Sequence, residues 1–394
     1  MRVLITSPIF PPDLGGPSVY VPSFGRFLVE RGHEVKVIAF CSDPKPQGHP
    51  FEVEAIARGS LPVRYLKAFW SVLRQAKSYD VVYIQEHLAF LHVLAAKLRG
   101  VPCVIRIMVD GSWEISHRKG WCDGDDIVAF QGKRYGWKVS LAQRLQRTWW
   151  RWAKQIITCS DFLRGVLVNT YGVDESKVQT IFNAYHGPDP SSVTETKEEA
   201  RRALGLRSDR RYLLTICRLM VWKQVDRIIS SLKELPEDVE LLICGDGPEL
   251  ESWEGLARSL GLENRVHFQG NVPHELVPKY IRAADIFVLY SRYEGLSHTL
   301  IEVQTLGTPA VASAVCGNPE VVTDRETGRL VGVDDGPGLC QTLADLLESP
   351  AQREALGEAG RVASARFGRS DTFTRVEKVL IKATGRPFDA PQQG

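Results

Sequence analysis

The sequence predicts an α/β protein of two doubly wound, Rossmann-like domains facing each other across a cleft. Three observations predict it. Through the first half, short apolar β-branched runs alternate with segments of helical period, which marks a mostly parallel sheet covered on both faces. The alternation stops at His186-Gly187-Pro188-Asp189-Pro190-Ser191-Ser192, a polar, turn-rich stretch without periodicity, and then restarts. The 394 residues give each half enough chain for a core of its own. The expected division is 1–188, 189–365, and 366–394 as a C-terminal helix and tail returning toward the first domain.

In chain order, Arg2–Ser7 reads as the first buried strand and Ser18–Arg31 as a helix opening after Pro17. Glu34–Ala39 is the next strand, Leu61–Lys77 a helix, Asp80–Gln85 a strand and Leu88–Arg99 a helix. Cys103–Val109, Gln155–Cys159 and Val178–Phe182 complete the strands of the first half. After the break, strands are expected at Tyr212–Cys217, Val239–Cys244, Val266–Gln269, Asp285–Leu289 and Pro309–Ser313. Helices are expected at Val225–Leu235, Glu249–Leu260, His274–Ala283, Ser297–Leu306 and Gly338–Glu348. Pro350–Ala383 has helical character, and the polar tail Pro387–Gly394 reads as frayed. In such sheets ligands sit beyond the C-terminal strand ends, which is where the cleft is expected.

Apolar content of 44% and charged content of 24% are ordinary for a globular chain. No apolar run approaches the roughly 20 residues that span a bilayer, and the N-terminal apolar stretch is too short for a signal peptide. A cytoplasmic location is expected, with peripheral contact at the inner face of a membrane as its variant. The eight cysteines are scattered without a Cys-x-x-Cys pair, so buried reduced thiols are expected rather than disulfides or metal ligands. The net charge of +2 is unevenly spread. Residues 1–185 hold 24 Lys and Arg against 16 Asp and Glu, and the rest hold 25 against 31. A basic half suits an anionic acceptor or membrane surface, and chance surface charge is the plainer alternative.

Four motifs fall at predicted strand ends in the second half. Glu294-Gly295-Leu296-Ser297-His298-Thr299-Leu300-Ile301-Glu302 follows a strand and opens a helix. Gly295 permits a tight turn, which would leave the amides of Leu296, Ser297 and His298 at a helix N-terminus suited to phosphate. Glu294 and Glu302 can each accept hydrogen bonds from hydroxyls of one extended ligand. Taken alone, the stretch also fits a helix cap with a surface glutamate. Arg218 and Lys223 follow another strand, where a guanidinium can grip phosphate oxygens bidentately and an ammonium adds a point charge. Such a pair on a loop is more often merely solvated. Cys244-Gly245-Asp246-Gly247-Pro248-Glu249 and Cys316-Gly317-Asn318-Pro319-Glu320 are further strand-to-helix glycine turns. The convergence of all four on one side of one domain is the physical case for a diphosphate ligand.

These residues resemble the retaining glycosyltransferases of the GT-B fold, family 4. The family's Glu-x7-Glu element followed by Gly-x-Pro appears as Glu294…Glu302 and Gly307-Thr308-Pro309. Its Arg-Leu-x-x-x-Lys appears as Arg218-Leu219-Met220-Val221-Trp222-Lys223, with Asp226 following. Gly-Asp-Gly-Pro is intact at 245–248, Val266-His267-Phe268-Gln269-Gly270-Asn271-Val272 is similar to the family's Val-x-Phe-x-Gly-x-Val, and Pro11-Pro12-Asp13-Leu14-Gly15-Gly16 is similar to its first glycine loop. The resemblance covers nearly the whole chain. It implies that Arg218 and Lys223 hold the donor diphosphate, Glu294 the sugar hydroxyls and Glu302 the ribose, with Gly16 approaching the phosphate from the N-terminal side. Cys217 and Gln224 stand where glycines usually flank the Arg and Lys, and Cys316-Gly317 stands for Gly-Gly. Many members carry a His after the strand ending here at Val109, whereas this chain has Val109-Asp110-Gly111-Ser112-Trp113-Glu114. That resembles a subset reading Gly-Asp-x-x-Trp-Glu, which makes Asp110 the candidate acceptor-facing group. A turn aspartate is its bland alternative.

The function implied is transfer of a sugar from a UDP- or GDP-linked donor to a hydroxyl acceptor, lipid-linked or anionic, in glycan, polysaccharide or glycolipid synthesis. Arg218, Lys223 and helix-terminal amides would meet the leaving charge, so no metal or other cofactor is expected. Asp123-Gly124-Asp125-Asp126 reads as a solvated loop rather than a cation site. Nothing points to nucleic acid. A non-catalytic sugar-nucleotide-binding homologue and a dinucleotide-dependent oxidoreductase are the alternatives, the latter lacking a Gly-x-Gly-x-x-Gly after the first strand. Two segments mix Trp with basic residues as a membrane interface does: Arg64–Trp70 continuing to Arg74 and Lys77, and Arg144–Lys154. Leu141, Leu145, Trp149, Trp152 and Ile156 share one helical face, however, which equally suits a core.

Overall fold

All strand pairings among the described residues are parallel. The computed structural model describes residues 1–13, 15–85, 89–122 and 124–385. The expected tail Pro387–Gly394, the first residue of the expected helix Leu88–Arg99, Leu14 of the glycine loop and Asp123 lie outside them. The chain divides into two units. One is Met1–Asn183 with the helix Arg369–Thr384, and the other is Ala184–Gly368.

The first unit holds seven strands: β1 Arg2–Ser7, β2 Glu34–Phe40, β3 Glu52–Ile56, β4 Val81–Ile84, β5 Cys103–Ile107, β6 Gln155–Thr158 and β7 Val178–Thr180. Their order is β3-β2-β1-β4-β5-β6-β7, the doubly wound arrangement that reverses beside the first strand. The two-residue period of a strand sorts its side chains between two cores. Leu4 joins one apolar cluster, and its neighbours Val3 and Ile5 join the other. The helices Leu61–Gln75, Phe90–Leu98 and Trp137–Trp152 cover the first face with Val72, Val93 and Trp149. The helices Gly16–Glu30 and Arg369–Thr384 cover the second with Phe24 and Phe373. Glu377 of the last helix accepts from Arg31 Nε and His33 Nε2, each at 2.8 Å, which fixes it to the turn before β2.

The second unit repeats the plan with β8 Arg211–Ile216, β9 Val239–Cys244, β10 Val266–Gly270, β11 Ile286–Leu289, β12 Ala310–Ser313 and β13 Arg329–Val331. Their order is β10-β9-β8-β11-β12-β13. Because the strands are parallel, the loops after β8, β9, β11 and β12 all leave the same edge of the sheet, and those loops carry the four motifs. The edge strands β3 and β13 have no counterpart in the sequence reading. β3 alternates charged and apolar residues, and β13 is only three residues long, so neither gives a buried-strand signal. The expected helical run Pro350–Ala383 breaks into Pro350–Ala363, a short 3-10 turn and Arg369–Thr384, parted at Gly368.

Candidate functional site

The loops after β8 and β11 are laced together by backbone. The Arg292 amide donates to the Trp222 carbonyl at 2.7 Å. At that seam Lys223 Nζ lies 2.5 Å from Glu294 Oε1, with side chains 16% and 11% exposed. Ser291 Oγ donates to the same carboxylate oxygen at 2.8 Å. Burial by itself would lower the Lys223 ammonium, but the charge of the Glu294 carboxylate and its hydrogen bond outweigh it and hold the lysine above its ordinary value. Burial pushes the Cys217 thiol up to about 11, so it stays protonated. Arg218, five residues before Lys223, is exposed, and its guanidinium has no acceptor among the described residues. One buried, counter-charged cation and one unclaimed cation on a single loop can together receive a polyanion.

Glycines set this loop. A methyl on Gly245 would sit 1.9 Å from the Cys217 carbonyl oxygen, and one on Gly247 would sit 2.3 Å from that of Leu219. The Leu219 amide donates to the Asp246 carbonyl at 2.9 Å. The Gly-Asp-Gly turn therefore packs backbone against backbone beneath Arg218, and Gly245 positions the cation loop. On the other side a methyl on Gly317 would meet the Gly295 carbonyl oxygen at 2.2 Å, and the Gly317 amide donates to the Glu294 carbonyl at 3.0 Å. Two departures from the family pattern gain a conformational sense: Gln224 has φ 46° and Cys316 φ 52°. Both occupy the left-handed region that glycine enters without steric cost.

The helix His298–Thr305 starts after Ser297, whose Oγ accepts from the Leu300 amide at 3.2 Å. That hydroxyl is an N-cap. Gly295 and Leu296 are buried in the preceding turn, and the Ser297 amide has no acceptor among the described residues. Glu302 is 8% exposed and takes a partner that sequence reasoning missed, His274, with Nε2 at 3.4 Å from Oε1. His274 follows β10 in a 3-10 turn, and nothing in the local pattern ties it to a glutamate on another helix. Its hydrogen bond to Glu302 raises the imidazole pKa against a smaller opposing effect of burial. A histidine raised in the folded state contributes stability in full below its unfolded pKa near 6.5, lost as pH climbs through the folded value. His274→Ala is therefore expected to flatten the pH dependence of Tm above 6.5. The effect should be well under about 1 kcal/mol, because the ring is partly exposed and solvent screens the pair. Thermal melts of both proteins across that pH range check it, and parallel curves would remove the pair from the stability balance.

In the first unit, Gly16 begins the helix Gly16–Glu30, with Pro17 in its first turn. The outward turn expected of Asp110 is not what the structure holds. Its carboxylate is 0% exposed and caps the helix Gly111–Arg118. Oδ1 accepts from the Ser112 amide at 3.0 Å, the Trp113 amide at 3.3 Å and Gln146 Nε2 at 2.7 Å. Oδ2 accepts from Gln131 Nε2 at 2.5 Å and the Tyr171 hydroxyl at 2.8 Å. Burial pushes its pKa up against the pull of these donors. Of the residues 124–126, Asp125 pairs with Lys133 Nζ at 2.7 Å, and Asp126 caps the helix Ile127–Gly132 through the Ala129 amide. The Trp-rich segment splits its character: Trp149 and Trp150 are buried, whereas Leu141 and Leu145 are 47% and 39% exposed. No described helix is long and apolar enough to cross a membrane.

Residues 196–363 match the family model of glycosyl transferases group 1, and residues 15–184 match that of the glycosyl transferase 4-like domain. The chain is 27% identical to a D-inositol 3-phosphate glycosyltransferase of Xylanimonas cellulosilytica, across 97% of this chain and 95% of that one. It is also 27% identical to the GDP-mannose-dependent alpha-(1-6)-phosphatidylinositol monomannoside mannosyltransferase of Mycolicibacterium smegmatis, across 91% and 92%. Among solved structures, sucrose-phosphate synthase from Thermosynechococcus elongatus superposes with a TM-score of 0.80 at 21% identity, covering 98% of this chain and 100% of that one. Anabaena Alr3699/HepE in complex with UDP-glucose superposes at 0.76 with 19% identity, covering 97% and 100%. Those two likenesses are of fold. The two family models between them account for most of both units, and the chain belongs to the family 4 glycosyltransferases of the GT-B fold.

Proposed function

We propose that the protein transfers a sugar from a UDP- or GDP-linked donor to a hydroxyl acceptor, with retention at the anomeric carbon. The observation that carries this reading is the Lys223–Glu294 pair at the seam of two strand-end loops, with the unclaimed Arg218 on the same loop. As the bond from the anomeric carbon to the diphosphate breaks, its electron pair goes to the leaving phosphate oxygen. Arg218, Lys223 and the amides at Ser297 meet that charge. The acceptor oxygen bonds to the anomeric carbon on the same face, and its proton passes to the departing oxygen. Glu294 receives sugar hydroxyls, and Glu302 receives those of the ribose. The basic first half and the phosphate-bearing inositol acceptors in the names of both relatives favour an anionic polyol or its lipid-linked form as acceptor.

The test is hydrolysis and transfer with a panel of UDP- and GDP-sugars, with the product's anomeric configuration read by NMR. One donor should be used, with its configuration kept. An inverted product, or no turnover of any donor by protein that binds nucleotide, overturns the reading. Because side chains and amides meet the leaving charge, activity should persist in a chelator. Complete loss that magnesium or manganese restores would reject that part of it.

A further inference from the structure

We propose that Ser313 and Asn318 are positioning residues for Glu294, acting through Ser291 to hold one carboxylate oxygen inward and leave the other to the ligand. The proposal rests on the donor reading of Glu294. Of its two oxygens, Oε1 takes both protein partners, Lys223 Nζ at 2.5 Å and the Ser291 hydroxyl at 2.8 Å. Oε2 has no hydrogen-bond partner among the described residues. A carboxylate held by one oxygen and open at the other offers a hydroxyl an acceptor of fixed direction. Ser291, two residues past β11, is itself held. Its carbonyl accepts at 2.5 Å from the hydroxyl of Ser313, the last residue of β12. The Ser313 hydroxyl oxygen in turn accepts from Asn318 Nδ2 at 3.1 Å, and the same amide donates to the Ser313 carbonyl at 3.1 Å.

Chemistry sets the direction of every bond. An amide N–H only donates, and carbonyl and carboxylate oxygens only accept, so each serine hydrogen has one place to go. The relay therefore runs one way, from Asn318 through Ser313 and Ser291 to Glu294. The main chain of the same turn adds a second grip, because the Gly317 amide donates to the Glu294 carbonyl at 3.0 Å. Packing alone does not account for the three side chains. Ser291, Ser313 and Asn318 are all 0% exposed, while Ala310, Val311 and Ala312 fill the rest of β12 with apolar groups. Asn318 Oδ1 has no partner among the described residues, and a buried acceptor left unpaired costs stability. An apolar residue there would avoid that cost and would donate nothing. Keeping the amide fits a site that needs its carboxylate in one orientation.

The test compares Ser313→Ala and Asn318→Ala with the parent, each made alone and together with Glu294→Gln. Turnover of the UDP- or GDP-sugar that the parent uses should fall about tenfold in Ser313→Ala, short of the roughly hundredfold that a misplacement of about 1 Å costs. Affinity for UDP or GDP alone should match the parent's, because neither carries the sugar that meets Glu294. Asn318→Ala should show the same pattern. Should it fail to fold, Ser313→Ala decides, since it removes a single oxygen. In Glu294→Gln the same substitutions should change turnover little, because effects that act through one group do not add. A purely structural role predicts equal fold-losses in both backgrounds. A second readout does not use turnover. The Lys223 ammonium, followed by NMR in lysine-labelled protein, should titrate lower in Ser313→Ala than in the parent, as its counter-charge loosens. Parental turnover in both variants while Glu294→Gln is impaired, equal losses in both backgrounds, or an unshifted Lys223 would each overturn the proposal. A shifted Lys223 beside a fully active Glu294→Gln would count against the donor reading alone.

Discussion

Glu294→Gln is expected to lower turnover by two to three orders of magnitude, the scale on which single electrostatic groups act in such sites, while leaving the protein folded. The amide is nearly isosteric and keeps one oxygen for the Ser291 hydroxyl, which now donates at 2.8 Å. What it removes is the negative partner of Lys223 Nζ at 2.5 Å. The ammonium would then keep its burial without its counter-charge, so its pKa should fall from the raised value it has in the parent. It should also be freer to move, and the carboxylate oxygen proposed to receive the sugar hydroxyls is lost. Lys223→Ala and Arg218→Ala should each cost transition-state stabilisation of about 3 kcal/mol. Their signatures differ. Lys223 and Glu294 touch, so their effects should fall well short of additive in a double-mutant cycle. The Arg218 guanidinium has no partner to lose among the described residues, so its removal should weaken diphosphate binding with little change in Tm. Steady-state kinetics with nucleotide titrations on the same preparations check all three. Full activity in Glu294→Gln would dismiss the assignment, and equal affinity of the parent for nucleoside mono- and diphosphate would show the clamp to be misplaced.

Much of this site was legible because parallel-sheet topology sends motif-bearing loops to one edge. Apolar runs such as Val239–Cys244 announce buried strands, and each glycine turn then falls at a strand end by construction. The contacts within the site were not legible. Lys223 and Glu294 are 71 residues apart, and charge alone could not say that they pair. Ser291 carried a weak local signal, three residues before the glutamate it touches. His274 carried none, because its partner Glu302 lies across the fold. The turn at 245–248 read either as part of a diphosphate site or as a plain turn, and in the fold Gly245 and Gly247 make a close approach to Cys217 and Leu219. Backbone-to-backbone packing and ligand contact both demand glycine, so the sequence leaves the two uses undistinguished. The edge strands were invisible for a related reason: partial exposure removes the continuous apolar run by which buried strands are recognised.

Asp110→Ala is expected to destabilise the first unit by about 3–5 kcal/mol, the range for removing one partner of a buried charged network. The wild-type carboxylate receives five hydrogen bonds at 0% exposure. Alanine would strand the Trp113 amide, the Gln146 amide and the Tyr171 hydroxyl away from water and leave the half-buried Gln131 amide without this acceptor, whereas the Ser112 amide keeps Gln146 Oε1 at 2.9 Å. Asparagine should behave differently. It caps a helix about as well as aspartate, and its oxygen can keep the donors now on Oδ1. Its new N–H groups meet Gln131, whose Oε1 has no partner among the described residues, so a turn of that amide supplies an acceptor, and the Tyr171 hydroxyl can rotate to accept as well. A loss of about 1 kcal/mol is expected. The sign with pH follows from the raised carboxyl pKa. A carboxyl that titrates higher in the fold than in the unfolded chain lends most stability at low pH and less as pH rises above its ordinary value near 3.8. Asparagine does not titrate, so the Tm gap between parent and Asp110→Asn should narrow as pH rises over that window. Turnover per folded Asp110→Asn molecule should stay close to the parent's. A large fall in turnover with Tm and donor affinity unchanged would instead return Asp110 to the acceptor side of the reaction, and one purified variant measured all three ways decides between the two roles.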